Sequence, residues 1–428
     1  MNKNTPEFYG YEIGKNIVPF INKCIAEAGE CYISAGTHIV GSSNSPWAAG
    51  EDVWKNNIIQ WGWGVNDKVK LIGAGHDKTI LKIIDNNQCI KHMTKQFPYL
   101  FILQTNYNQS CNDTLIEGIT FDGNYANNKV GATTINGIRI RGERNIVRNC
   151  KFINFGVGDN SVYECFQVSL LSISPDGVGG VVENNLFELP GKKDKNAVGF
   201  IPENTFIAVS GNNFVIQNNT FKDCESNAIS QRSPLHGITI GGQFPTKNVT
   251  IRNNVFENYQ GVAIYIDSWS NDTVLITENT AKNVWIFLYI SSQKWPTAGQ
   301  TSVSKNFKLT NNRVVLSNEK AYYQWNDASS FDPVFFGYNN DPSVDRKKIV
   351  GFSNFEFDNN LIRINTNIDK SFIKCFYGNP VEKDVIKTSN NMFVDNDAEM
   401  KFSEVQLIVR KLMVAVQDAS KALGIEIK

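Results

Sequence analysis

The side chains of this sequence that could carry chemistry cluster in the middle of the chain. Asp267, with Glu203 and Glu225 from preceding segments, offers carboxylates able to work as a general acid and base. Arg232, His236 and Tyr265 offer a different set, a cation beside two groups that could take up a proton. Arg139 and Arg141 could hold a polar or anionic ligand, and Tyr265, Trp269, Trp285 and Tyr289 could present ring faces to it. Plainer roles compete with these. Asp267 ends a strand-like run, where a carboxylate often bonds a turn, and His236 follows Pro234-Leu235 and reads as a loop residue more than as a base. Asp122-Gly-Asn124 has the residues of a turn. None of the eight cysteines forms a C-x-x-C pair or a Cys/His cluster with zinc spacing, so no metal ligand set is expected and the cysteines are expected as thiols.

What must position these residues is a repeat. Ile146-Val-Arg-Asn-Cys-Lys-Phe152 is followed by Val181-Val-Glu-Asn-Asn-Leu-Phe187, Val215-Ile-Gln-Asn-Asn-Thr-Phe221, Thr250-Ile-Arg-Asn-Asn-Val-Phe256 and Leu275-Ile-Thr-Glu-Asn-Thr-Ala281. Weaker copies lie at Lys308–Val314, Glu356–Ile362 and Lys387–Phe393. The second Asn recurs at 185, 219, 254 and 279, in steps of 34, 35 and 25, and such a period marks a solenoid. Roughly an eighth of the chain is Asn, well above an ordinary domain. Its fixed place in each unit gives it a job: Asn tolerates the left-handed backbone of a sharp turn, and stacked amides can bond one another from rung to rung.

Each unit holds two or three short strands and no helix-length periodic stretch. Third strands are read at Gly137–Arg141, Phe166–Leu170, Phe206–Ser210, Gly237–Gly241, Val262–Asp267 and Ile286–Ile290. Alternation puts Ile264 and Ile266 on the inner face and Ala263, Tyr265 and Asp267 on the outer, with Arg139, Arg141, Gln167, Ser169, Thr239, Phe287 and Tyr289 also outward. The fold class is therefore all-β, a single-stranded right-handed parallel β-helix with a helix at each end. Residues 1–40 read as a cap helix (Ile13 to Ile25) and a first strand (Cys31 to Val40), residues 41–114 as early rungs with long loops and 115–400 as regular rungs. Residues 401–428 read as a C-terminal helix opened by the capping box Ser403-Glu-Val-Gln406.

Composition narrows the partners. Lys+Arg and Asp+Glu both number 42, so electrostatic capture of nucleic acid is not expected. No apolar run approaches the length of a membrane span, and Met1-Asn-Lys-Asn-Thr-Pro shows no signal core.

Three further segments carry a resemblance: the N-terminal helix with Tyr32-Ile-Ser-Ala-Gly-Thr37, Val69-Lys-Leu-Ile-Gly-Ala-Gly-His-Asp-Lys-Thr-Ile-Leu81, and Leu115-Ile-Glu-Gly-Ile-Thr-Phe-Asp-Gly-Asn124. With the rungs they resemble pectate-lyase-like right-handed β-helix proteins, a group that includes polysaccharide-degrading tailspikes of bacteriophages. The resemblance implies a poly- or oligosaccharide lying along one long sheet, an extracellular or virion-associated setting and a homotrimer. It does not fix the chemistry, because such folds serve lyases, hydrolases, epimerases and non-catalytic adhesins alike. His236-Gly237 resembles the His-Gly element of polygalacturonases, but no Asp-Asp precedes it and Ile264-Tyr-Ile-Asp267 stands where their basic element falls. The Asp-Pro-His-Glu stretch of alginate epimerases has no counterpart. Under this resemblance Asp267 with Glu203 or Glu225 implies glycoside hydrolysis, for which the two carboxylates stand about 5 to 9.5 Å apart. Arg232, His236 and Tyr265 imply β-elimination, with Ca2+ as a cofactor in that case only; the alternative is a non-catalytic glycan-binding or structural protein.

Overall fold

The computed structural model describes residues 2–41, 59–61, 67–87, 99–105, 110–128, 134–155, 168–171, 179–188, 204–222, 235–241, 246–258, 262–267, 272–284, 286–292, 303–316, 334–338, 351–364 and 386–395. Within them the chain winds as a solenoid, nine of whose coils lay down one strand on each of three parallel sheets and the last two of which have described strands on two sheets only. Sheets 1 and 2 hold 11 strands and sheet 3 holds 9, all in sequential order. One coil runs Ile146–Arg148 on sheet 1, Lys151–Ile153 on sheet 2 and Val168–Leu171 on sheet 3.

The period-two pattern of the short strands decides what lies inside. On sheet 1 the middle residue of each strand is buried, and Val147, Val182, Ile216, Ile251, Ile276, Leu309 and Phe357 stack in register. On sheet 2 the matching row is aromatic: Phe121, Phe152, Phe187, Phe221 and Phe256 stack at centroid spacings of 5.2, 4.9, 5.0 and 4.6 Å. The row passes to Ala281 on the next coil.

Two residues turn the chain from sheet 1 to sheet 2, and the Asn pair divides the work between them. The first member takes the left-handed backbone: Asn149, Asn184, Asn218, Asn253, Asn311, Asn359 and Asn390 have φ between 51° and 58°. The second member is inward and forms the amide column. Asn219 donates both its backbone N–H and its Nδ2 to Asn254 Oδ1, each at 3.0 Å, while its Nδ2 also donates to Val182 O at 2.9 Å. The same set of bonds links Asn185 to Asn219, Asn254 to Asn279, Asn279 to Asn312, Asn312 to Asn360 and Asn360 to Asn391. Each inner amide thus spends two donors and two lone pairs, and none is left wanting in the apolar interior. At the near end Cys150 takes the place of Asn: its N–H donates to Asn185 Oδ1 and its thiol to Arg148 O at 3.2 Å.

The start of the chain differs from its sequence reading. The helix spans Val18–Ala28 rather than Ile13 to Ile25, beginning at Val18-Pro19, where proline suits the first turn, and ending at left-handed Gly29. Its Val18, Ile21, Cys24 and Ile25 are buried. The single strand expected over Cys31 to Val40 is two, Glu30–Ile33 on sheet 1 and Gly36–Val40 on sheet 2, and both pair with the following coil. The helix expected over 401–428 lies outside the described residues. Asp122-Gly-Asn124 is a turn, with Asp122 Oδ1 accepting from Asn124 N at 2.8 Å. Among the described residues Cys24, Cys31, Cys111 and Cys150 are buried, and no helix is long and apolar enough to cross a membrane.

The column predicts a graded response. Asn254→Ala strips two buried donors of Asn219 of their acceptor and should cost about 3–5 kcal/mol in urea unfolding, whereas Asn253→Gly, at an exposed left-handed position, should stay within about 1 kcal/mol of wild type. Glu278 sits at the corner position other coils give to Asn, with φ 57°, so Glu278→Asn should stabilise by about 1 kcal/mol in the same measurement.

Candidate functional site

The outer faces of sheets 1 and 2 are largely self-satisfied. Along sheet 1, Arg148 donates to Glu117 at 2.8 Å, Gln217 to Glu183 at 2.7 Å and Arg252 to Gln217 at 2.8 Å. At the preceding corner Arg144 holds both oxygens of Asp113, at 2.7 and 3.0 Å, which keeps that carboxyl below its usual range. On sheet 2, Lys151 pairs with Glu188 at 2.7 Å. Such rows spend their polar atoms on one another.

Sheet 3 carries a different, unrepeated row. Its registers align Arg139 with Ser169, Ala208, Thr239, Tyr265 and Tyr289 on successive rungs. The spacing of parallel strands makes this line roughly 24 Å long. Arg141 aligns with Leu171 and Ser210 at the neighbouring position, and both arginines are half-buried.

At the centre of the row the strands break alternation. Phe206 packs on Phe187 and Phe221 at 5.5 and 6.0 Å, so it points inward although Ile207 beside it is also core. One rung on, a Cβ at Gly237 would stand 2.6 Å from the Phe256 ring and 2.5 Å from Ala263 O; only glycine fits there. Ala263 and Phe287 continue this row and are buried at 0% and 1%. Two inward residues in succession swing the preceding residue to the outer side, which brings Thr205 and His236 beside Thr239. Thr205 Oγ1 lies 2.8 Å from Thr239 Oγ1, and Thr239 Oγ1 lies 3.5 Å from His236 Nδ1. The His236 ring stacks on Tyr265 at 4.1 Å and 8°, and Tyr265 on Tyr289 at 5.3 Å and 23°.

Several expectations change here. His236 is not a loop residue: it lies in the strand Leu235–Ile240, pairs with Thr205 and Val262, and is 1% exposed. Burial pushes its pKa down to about 3, so the imidazole is neutral. Ala263 and Phe287, read as outward, belong to the inner side because the strands bend. Tyr265 and Tyr289 keep the outward register, but at 3% and 1% exposure they form a buried stack instead of open ring faces. Asp267 is the last residue of its strand and pairs with Ser291; its side chain, with all of Glu203, Glu225, Arg232, Trp269 and Trp285, lies outside the described residues. Thr205 escaped the sequence reading because strict alternation assigns it to the core; the adjacent apolar pair Phe206-Ile207 is the signal that could have found it. No cluster among the described residues could hold a metal ion.

Because its folded pKa lies below that of the free side chain, His236 binds fewer protons folded than unfolded between pH 6.5 and 3. Stability should therefore fall as pH drops through that window, by an amount of the order of 5 kcal/mol in all. His236→Phe keeps a ring on Tyr265 and should remove that part of the slope in urea midpoints from pH 7 to 3.5; an unchanged slope would assign the acid sensitivity elsewhere.

A family model described as right handed beta helix region matches residues 103–314. Among solved structures, the surface adhesin PfbA of Streptococcus pneumoniae is similar over 91% of this chain and 89% of its own, with TM-score 0.52 and 13% identity. A tailspike protein of E. coli bacteriophage HK620 is similar over 90% of this chain and 61% of its own, with TM-score 0.52 and 11% identity. The A-module of a mannuronan C-5 epimerase of Azotobacter vinelandii covers 91% and 99% with 14% identity, at a TM-score of only 0.42. No curated protein matches the sequence. At these identities the likeness is one of architecture, and with the coil geometry and the matched region it gives the chain a right-handed parallel β-helix fold.

Proposed function

We propose that this protein binds a polysaccharide along the outer side of sheet 3 and cleaves it by hydrolysis, with Asp267 as one carboxylate and Glu203 or Glu225 as the other. The observation that carries the reading is the contrast between faces. Sheets 1 and 2 carry ladders of charged and amide side chains on their outer faces, whereas sheet 3 gathers hydroxyls, an imidazole, phenols and guanidinium groups along the helix axis. Such a line suits a long polymer with alternating polar and apolar surfaces. Elimination is less well supported. A histidine whose pKa lies near 3 is a weak base, and Tyr265 is enclosed between two rings, so two members of the Arg232, His236 and Tyr265 set are poorly suited to taking up a proton. With elimination goes the reason to expect Ca2+. An extracellular or virion-associated setting accompanies the reading.

One observation favours a second reading, a non-catalytic glycan-binding or structural protein of a virion or cell surface. Asp267 is the sole carboxylate among the described residues of sheet 3, and hydrolysis needs two.

Incubation with a panel of neutral and acidic polysaccharides separates the readings. Hydrolysis should release reducing ends without the ultraviolet absorbance of an unsaturated sugar, and Asp267→Asn should lower the rate at least about 100-fold without loss of binding. Binding with no shortening of any polymer would leave the second reading standing, and an unsaturated product would restore elimination.

A further inference from the structure

The cap over the first coil holds a pair of groups that the proposed function does not use. Cys24 lies on the inner side of the helix Val18–Ala28 and Cys31 is an inner residue of the strand Glu30–Ile33; both are 0% exposed. The chain reverses between them at left-handed Gly29, whose N–H donates to Ile25 O at 2.9 Å, and the reversal packs the strand against the helix. There the two thiols meet, the side chain of Cys31 hydrogen-bonding that of Cys24. Buried cysteines often serve as small apolar side chains, but that service does not require two sulfurs to come together.

The helix is fastened unevenly. At its start Asn16 Oδ1 accepts from Val18 N and Gly41 N, each at 3.1 Å, and Ile17 N donates to Ile39 O at 2.9 Å, which ties it to sheet 2. Toward its end the polar ties are exposed: Tyr9 donates to Glu27 at 3.1 Å and Lys23 pairs with Glu27 at 3.9 Å. Contacts of that kind hold little. A covalent link from Cys24 to Cys31 would fasten this end to sheet 1.

We propose that Cys24 and Cys31 are a disulfide site, closed while the chain folds in an oxidising medium, which locks the cap helix onto the first coil. The electron acceptor is a small disulfide such as oxidised glutathione. The thiolate of one cysteine attacks it, its S–S bond breaks, and one glutathione leaves and takes up a proton. The thiolate of the other cysteine then attacks the protein sulfur of the mixed disulfide, the Cys24–Cys31 bond forms, and the second glutathione leaves in the same way. The chain gives up two protons and two electrons, and the glutathione disulfide receives them.

Burial sets the timing. In the folded chain the Cys24 contact and loss of solvent push the Cys31 thiol far up, so it stays protonated and inert. In the unfolded chain both thiols are open to solvent and only six residues separate them. The bond therefore forms before the helix docks, and the docked helix then shields it.

The test refolds the full chain from guanidinium chloride with mixed reduced and oxidised glutathione, or with dithiothreitol, and alkylates the products. Cleavage at Glu27 and Glu30 separates the two cysteines unless they are linked, so peptide masses taken without reduction report the bond. Most of the glutathione-refolded monomer should carry the Cys24–Cys31 link, whereas chain folded first in dithiothreitol should keep both thiols when moved to the same oxidant. Hydrogen exchange at the Ile21 and Ile25 amides should be at least about tenfold slower in the linked chain, the effect of closing a short loop. In Cys24→Ser that exchange should not depend on the medium. Should the chain refold from neither medium, protein exported to a bacterial periplasm gives the same peptide map. Both cysteines unlinked in monomer folded under oxidant, or either joined instead to another of the eight cysteines, would overturn the site. A link without slower exchange would overturn its locking role, and ready oxidation of the folded thiols would overturn the timing.

Discussion

Everything in this molecule depends on a column of buried side-chain amides. A solenoid coil cannot close a core alone; it must stack on its neighbours in one register, and hydrophobic contact is too undirected to choose that register. The inner asparagines choose it. Each donates to the next amide and to a backbone carbonyl and accepts from the amide before it, so a slipped coil would strand several buried polar atoms at once. The Phe stack on sheet 2 then fills the space beside the column at nearly constant spacing.

Fixed register turns sheet 3 into a ruler. Residues far apart in sequence stand on consecutive rungs, and Thr205, His236, Thr239, Tyr265 and Tyr289 become one connected group. The group exists because the strands bend where Phe206 and Gly237 turn inward, and the bend is possible because Gly237 has no side chain to meet the Phe256 ring. Packing inside the helix therefore sets the chemistry outside it. Burial of the His236 ring also makes it a poor base.

Much of this was legible in the sequence because the column demands one residue type at one point of every coil. The repeat, the strand-turn-strand unit and the sheet facing Tyr265 could all be read from Asn pairs such as Asn218-Asn219 and Asn253-Asn254. How the two members share the work could not, since either Asn could serve at a left-handed corner or in an amide row; only geometry shows that the first bends and the second bonds. Alternation failed at Ala263 and Phe287 because it assumes a straight strand. Helix periodicity placed the cap helix too early because Ile13 fits the apolar stripe, while it is Val18-Pro19 that opens the helix. Glu203 and Glu225 fall outside both the repeat and the described residues, and there the sequence offers residue types without positions.

The most direct test of the account is a crystal structure with a bound oligosaccharide from whichever polymer the protein retains. Sugar density is expected along sheet 3 over the rungs from Arg139 to Tyr289. Density on the outer faces of sheets 1 or 2, or none on sheet 3 at saturating ligand, would contradict it.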